Sequence, residues 1–436
     1  MPKRLHVSNP DFPCAFEALL GEKRESSADV DAAVRDIIAN VRSRGDAALI
    51  AYSARFDQVD LAKTGLKITE AEIDAAVAAC SAEALDALAF AHERIVSHHR
   101  RQLPSNDTYT DRAGVELGSR WTAVESVGLY VPGGLASYPS SVLMNAAPAV
   151  VAGVPRIVMV VPAPLGEINP LVLAAARLAG VHEVYRVGGA QAVAALAYGT
   201  ETIQPVVKIV GPGNAYVAAA KRQVFGQVGI DSVAGPSEVL VIADADNNPE
   251  WIAADLLAQA EHDSAAQSIL MTDSEAFAVA VEAAVARQLK TLPRAKIAGQ
   301  SWDMFGASII LKSLDEAPAL ADRLAAEHLE ICTAEPEKLA ARIRNAGAIF
   351  LGAHTPEAIG DYVSGSNHVL PTARSARFSS GLGTLDFMKR TSILRLDAAS
   401  LAALGPAAMT LARAEGLEAH RASIALRLGL PPGEGA

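Results

Sequence analysis

The sequence has only three cysteines in 436 residues, Cys14, Cys80 and Cys332. Scattered and odd in number, they make no disulfide framework and no paired metal knuckle, a usage that fits a reducing cytosol. Positive charge is also in deficit: 38 Lys and Arg against 49 Asp and Glu give a net charge of −11. That sign argues against a nucleic-acid partner, whose phosphates need basic stripes. No apolar run reaches the roughly 18 residues that a bilayer span requires. Residues 1–16 lack the basic-then-apolar order of a secretion signal. A cytoplasmic protein that handles small molecules is therefore expected, with no membrane partner. Aromatic residues are scarce at 5%, yet half the chain is hydrophobic. Ala, Val and Leu must fill the core.

What is present is an alternation of structure. At about 150 residues per domain the length suggests two to three domains. Residues 1–110 read as a helical section, with helical spacing over 29–56 broken at Gly45 and a second stretch over 70–101. The second opens on a capping-box pattern at Thr69 to Glu72. Residues 111–245 read as a first α/β domain, with strands expected near 126–131, 156–161, 183–187, 206–210 and 239–243. Residues 246–375 read as a second, with strands near 269–272, 308–312 and 348–351 and a helix over 315–329. Residues 376–436 form a tail, irregular at first and helical over 400–428. Strands that are apolar throughout suit parallel sheets covered on both faces, so two doubly wound Rossmann-like layers are expected.

Three glycine turns follow expected strands: Val131-Pro132-Gly133-Gly134, Val187-Gly188-Gly189-Ala190-Gln191 and Val210-Gly211-Pro212-Gly213-Asn214. The last two precede helices, where free N–H groups suit a phosphate. None matches the G-x-G-x-x-G fingerprint. Polar groups cluster elsewhere. Gln259 and His262, three apart near a helix end, share a face and are acceptable ligands for zinc or manganese. Glu327 and His328 form a carboxylate–imidazole pair suited to proton handling, provided that the helix ends there. Asp361 and His368 lie in a small-residue stretch, and Glu415 and His420 flank a helical tail. Each of these, taken alone, is also an ordinary helix end or loop. Together they point to a metal site beside a nucleotide-binding rim, without choosing among reactions; a metallohydrolase with Glu327 activating water fits the same inventory.

Nine motifs in order narrow the choice: GLYVPGG (128–134), YPSSVLMNAAPAVVAGV (138–154), YRVGGAQAVAALAYGTE (185–201), KIVGPGNAYVAAAKR (208–222), AGPSEVLVIAD (234–244), DLLAQAEHD (255–263), AEHLE (326–330), SGSNHVLPT (364–372) and EGLEAH (415–420). In these the chain resembles the histidinol dehydrogenase family over nearly its whole length. The resemblance implies zinc-assisted oxidation of L-histidinol to L-histidine with two NAD, through an aldehyde. It implies a zinc site of Gln259, His262, Asp361 and His420, with Glu327 and His328 as the acid/base pair. Substrate contacts would come from Ser237, Glu415, His328 and the four ligand residues, and NAD contacts from Tyr130, Gln191 and Asn214. It further implies a homodimer in which Glu415 and His420 complete the neighbouring subunit's site. The chain departs from the family pattern at Val207, where Asp is expected, and at Ser232, where Met is commoner. A relative acting on another small alcohol, or a non-catalytic binding protein, would share the scaffold; the latter has no need of Glu327 and His328.

Overall fold

The apolar runs of the sequence become strands packed between helices. The computed structural model describes residues 2–22, 28–133, 138–233 and 235–431. Gly134 of the first glycine turn, residue 137 at the expected start of a helix, and Ala234 of the AGPSEVLVIAD motif lie outside them. The chain divides into two units, one of Met1–Gln102 with Val124–Phe387 and one of Leu103–Ala123 with Met388–Ala436. In chain order the strands are β1 (Lys3–His6), β2 (Asp107–Thr110), β3 (Glu116–Ala123), β4 (Val127–Tyr130), β5 (Ile157–Val160), β6 (Glu183–Tyr185) and β7 (Lys208–Val210). They continue with β8 (Gly229–Ile230), β9 (Glu238–Ala243), β10 (Gln267–Thr272), β11 (Ala307–Ile310), β12 (His328–Cys332), β13 (Ala348–Leu351) and β14 (Met388–Arg395).

The larger unit holds two wholly parallel sheets. One has five strands in the order β6-β5-β4-β7-β8. The other has six, in the order β1-β11-β10-β9-β12-β13. The five-stranded sheet begins in its middle at β4, builds outward to β6, then crosses to β7 and β8; in the six-stranded sheet β1 takes one edge, and from β9 the chain builds outward to β11 before crossing to β12 and β13. The reversal falls between β4 and β7 in the first sheet and between β9 and β12 in the second. Alternate residues of β9 face opposite ways: Val239, Val241 and Ala243 pack with Ile252, Leu256 and Val281, whereas Leu240 and Ile242 pack with Phe16, Leu19 and Leu324. Helices therefore cover both faces. Each such aliphatic side chain contributes roughly 1.5–3 kcal/mol on full burial.

Several sequence expectations change. The break at Gly45 is real, and its backbone (φ +52°) favours glycine; a second break at Cys80 separates helices Glu70–Ala79 and Ala82–Arg100, the latter capped by Ser81. The first residues are not solely helical, since β1 joins the six-stranded sheet with Leu5 opposite Ile309. β9, expected in a first domain ending at 245, belongs to the six-stranded sheet too. The helix expected to run to 329 stops at Leu324, where Ala325 takes a left-handed conformation (φ +46°), and β12 begins at His328. Its helical periodicity loses to pairing with β9 and β13, as propensity often loses to tertiary context. An unexpected helix spans Ala295–Phe305.

The smaller unit corrects the expectation of a tail that is irregular until its helix begins, since it holds a strand there. β14 pairs antiparallel with β3 from Met388–Ala123 to Arg395–Glu116, and β2 pairs on the other side of β3. None of the residues of these strands is buried, so they lack the apolar signature that marks buried ones. Two helices follow, Ala398–Ala414, with an Asp397–Ser400 capping box, and Glu418–Arg427.

Candidate active site

The chemistry-bearing side chains of the six-stranded sheet gather at the amino-terminal ends of β9 and β12. His328 stands opposite Val239 in the ladder, so its ring reaches the backbone at the start of β9. Its Nδ1 lies 3.1 Å from the Glu238 carbonyl oxygen, which accepts its proton, leaving Nε2 without a hydrogen-bond partner. Nε2 points toward Asp361 Oδ1 at 3.7 Å. Glu357 Oε2 and Glu327 Oε2 flank Nδ1 at 3.6 and 3.8 Å. Burial alone would lower the imidazole pKa, but Glu357, Glu327 and Asp361 outweigh it and hold it well above 6.5.

Glu327 is buried, and its Oε2 accepts from the Glu238 backbone N–H at 3.0 Å. Burial pushes its carboxyl up to about 7, against the opposing pull of His328 and that N–H. A carboxyl poised there can exchange a proton in either direction. Asp361 sits one helical turn after Glu357 on the helix Glu357–Tyr362. Burial opposes its ionisation, yet His328, His368 and His262 together keep its carboxyl below the usual range. The neighbouring loop anchors it: His368 Nδ1 lies 3.0 Å from the Asp361 carbonyl oxygen and Nε2 lies 3.1 Å from Ser141 Oγ.

Behind this group lie carboxyls that sequence reasoning missed. Glu330 Oε1 accepts from the Glu357 N–H at 2.6 Å. Burial raises Glu357 to about 8 and Asp255 to about 6, and pushes Glu330 well up. The available signal was the four-residue spacing of Glu357 and Asp361, which shares a face only once 357–362 is known to be helical.

For a metal, the donor chemistry is partly assembled. Gln259 is 1% exposed, and neither of its side-chain amide atoms has a hydrogen-bond partner among the described residues. A buried amide left unsatisfied costs about 1–3 kcal/mol, so a ligand that satisfies it fits the position. His262 follows it just past the helix Pro249–Ala260, with Nε2 4.0 Å from Asp361 Oδ2. Among the described residues, no three His, Cys, Asp or Glu side chains alone form a metal-holding group. Glu415 and His420 belong to the smaller unit, where both are exposed. Ser237 is half-buried immediately before β9.

The five-stranded sheet carries its glycine turns at the opposite, carboxyl-terminal ends of its strands. Tyr130, ending β4, is buried, and its hydroxyl accepts from the Gly189 N–H at 3.0 Å. Burial raises its pKa to about 12. Gln191 is buried in the first turn of the helix Gly189–Tyr198. Asn214 caps the helix Ala215–Val224, its side-chain oxygen accepting from Tyr216 and Val217 N–H at 3.0 and 3.2 Å. Gly211 (φ +112°) passes so close to β4 that a Cβ would lie 2.2 Å from the Tyr130 carbonyl oxygen. A Cβ at Gly188 would likewise sit 2.4 Å from the Pro162 Cβ. Gly211 keeps the backbone low at the strand-order reversal, where α/β sheets receive ligands, and the helices Gly189–Tyr198 and Ala215–Val224 begin just after the two turns.

Fold and site together define an α/β enzyme that combines a buried imidazole–carboxylate cluster with a glycine-lined rim. Residues 20–428 match the histidinol dehydrogenase family. The chain is 68% identical over 430 residues to the histidinol dehydrogenase of Brucella suis, covering 99% of this chain and all of that one. It is 71% identical over 428 residues to that of Nitrobacter winogradskyi, covering 98% and 100%. The crystal structure of histidinol dehydrogenase from Elizabethkingia anophelis superposes with a TM-score of 0.93 at 36% identity, covering 98% of each chain. The chain belongs to the histidinol dehydrogenase family. Among the described residues no helix is long and apolar enough to cross a membrane.

Proposed function

We propose that this enzyme oxidises L-histidinol to L-histidine, the closing steps of histidine biosynthesis, in the cytoplasm. The observation that carries the reading is the convergence of His328, Asp361 and His262 from three separate chain segments into one cluster, with His328 buried, Asp361 half-buried and His262 at the exposed edge. Taking an alcohol to an acid removes four electrons, so two NAD and one water are consumed for each histidinol, with an aldehyde between the two oxidations. NAD supplies the hydride acceptor, and Tyr130, Gln191 and Asn214 would hold it along the glycine rim, with the two parallel sheets acting as doubly wound Rossmann-like layers. Zinc supplies a fixed positive centre that orients the substrate's nitrogens; Gln259, His262, Asp361 and His420 of the partner subunit would hold it. Ser237 and the partner subunit's Glu415 would complete the substrate's surroundings in a homodimer.

Proton handling falls to this chain's own pair. In its neutral form His328 takes the alcohol proton on Nε2 as the carbon–hydrogen bond breaks; the carboxyl groups near its ring stabilise the imidazolium and hold its pKa up, so this step gains as pH rises through that pKa. Glu327 then removes a proton from the water that attacks the aldehyde carbon. The resulting hydrate gives up its second hydrogen as hydride. Burial of both residues keeps bulk water from the aldehyde stage. The test is stoichiometric: two NADH per L-histidinol consumed supports the reading, and negligible turnover of L-histidinol against brisk turnover of another small diol overturns it.

A further inference from the structure

The turn carrying Gly211 is held by an ion pair that lies outside the chemistry described above. Lys221 sits in the helix Ala215–Val224 and is 1% exposed. Its Nζ donates to the Gly211 carbonyl oxygen at 2.9 Å and pairs with Asp231. Asp231 Oδ2 in turn accepts from the Gly211 N–H at 2.8 Å, and its own N–H donates to the Ile209 carbonyl oxygen. Both polar groups of one peptide position are thus gripped by opposite ends of a single buried salt bridge. Gly211 cannot adopt its conformation by side-chain preference, since it has none, and its neighbours Pro212 and Gly213 add no hydrogen-bond donor side chain. An ion pair this deeply buried is weak support for stability, because desolvating two charges offsets most of their attraction. A pair of apolar side chains would fill the same space at less cost. Something other than stability is needed to account for it.

We propose that the Lys221–Asp231 pair is a clamp that sets the Gly211 turn for dinucleotide binding, making both residues positioning residues for NAD. This rests on the reading of the glycine rim as the NAD site. The same helix that opens at Asn214 beside the rim reaches back through Lys221 to the turn before it. Cap and turn are thereby locked in one geometry before the dinucleotide arrives. Without the clamp, the Gly211 peptide can rotate, and the rim must be ordered at the expense of binding energy.

The test is NAD titration of the full-length protein without histidinol, followed by its intrinsic fluorescence, alongside thermal unfolding and steady-state kinetics. Lys221→Met removes the charged hook. The double variant Lys221→Met/Asp231→Leu replaces the pair with apolar groups and guards against misfolding from one orphaned charge. The clamp predicts that NAD affinity falls on the order of 10–100-fold in both variants, by analogy with the groups that orient metal ligands. The KM for histidinol at saturating NAD is expected to stay within about twofold. Folded variants that bind NAD as tightly as wild type, whatever their melting temperature, overturn the clamp and leave the cofactor reading standing. Wild-type protein that binds no NAD sinks the cofactor reading itself, and the clamp with it.

Discussion

The two parallel sheets are built on the same plan and used at opposite ends. From β4 in one and from β9 in the other, the chain builds outward and then crosses over, so that strand order reverses between β4 and β7 and between β9 and β12. The five-stranded sheet presents backbone: the glycine turns follow the carboxyl ends of its strands and include Gly188 and Gly211, where a side chain would collide. The six-stranded sheet presents side chains: Glu327, His328 and the Glu238 carbonyl precede or open strands at their amino ends. On the proposed function, the difference follows from what each rim would meet. A dinucleotide needs N–H groups and room for phosphates. Proton transfer needs titratable groups whose environment moves their pKa toward neutrality. Burial does this for Glu327, whereas the surrounding carboxylates hold the His328 imidazole well above its usual 6.5.

That division of labour can be broken most forcefully at His328. His328→Asn should lower kcat on the order of 10²–10⁴-fold, the usual weight of a general acid–base, while NAD affinity stays as in wild type. An equal loss of NAD affinity would erase the distinction between the rims. Metal removal comes next. Dialysis against a chelator should abolish turnover and zinc should restore it, and Asp361→Ala should lose most of its zinc by elemental analysis without weakening NAD binding. On the glycine side, Gly211→Ala must move the Tyr130 carbonyl or the turn, at a cost of about 1–3 kcal/mol in unfolding free energy and with weakened NAD binding. The smallest effect sharpens the comparison. Asn214→Ala should cost about 1 kcal/mol through the lost helix cap, whereas Asn214→Ser should keep the cap, so that any remaining loss of NAD affinity reports a direct contact.

The rims were legible in the sequence to different degrees. The glycine turns announced themselves because each follows an apolar strand and two precede a helix, a local pattern that needs no partner. Glu327–His328 was visible as a pair, but its setting was misjudged, since helical spacing through 315–329 hid the strand that carries His328. Glu357 went unnoticed, although it lies against the imidazole. Lys221 and Asp231 stood within or beside quoted motifs without any sign that they meet.

By itself the sequence determined the α/β class, most of the parallel strands, the Thr69 capping box and the adjacency of Glu327 and His328, because these depend on periodicity and short-range chemistry. Tertiary structure alone decided the strand orders, the antiparallel sheet of the smaller unit, the ends of the strands at which chemistry gathers, and the charges that face one another. Those depend on contacts between residues far apart in the chain, such as His328 with Glu238 and Gly211 with Asp231, and no local pattern encodes which distant segment a strand will choose as its neighbour.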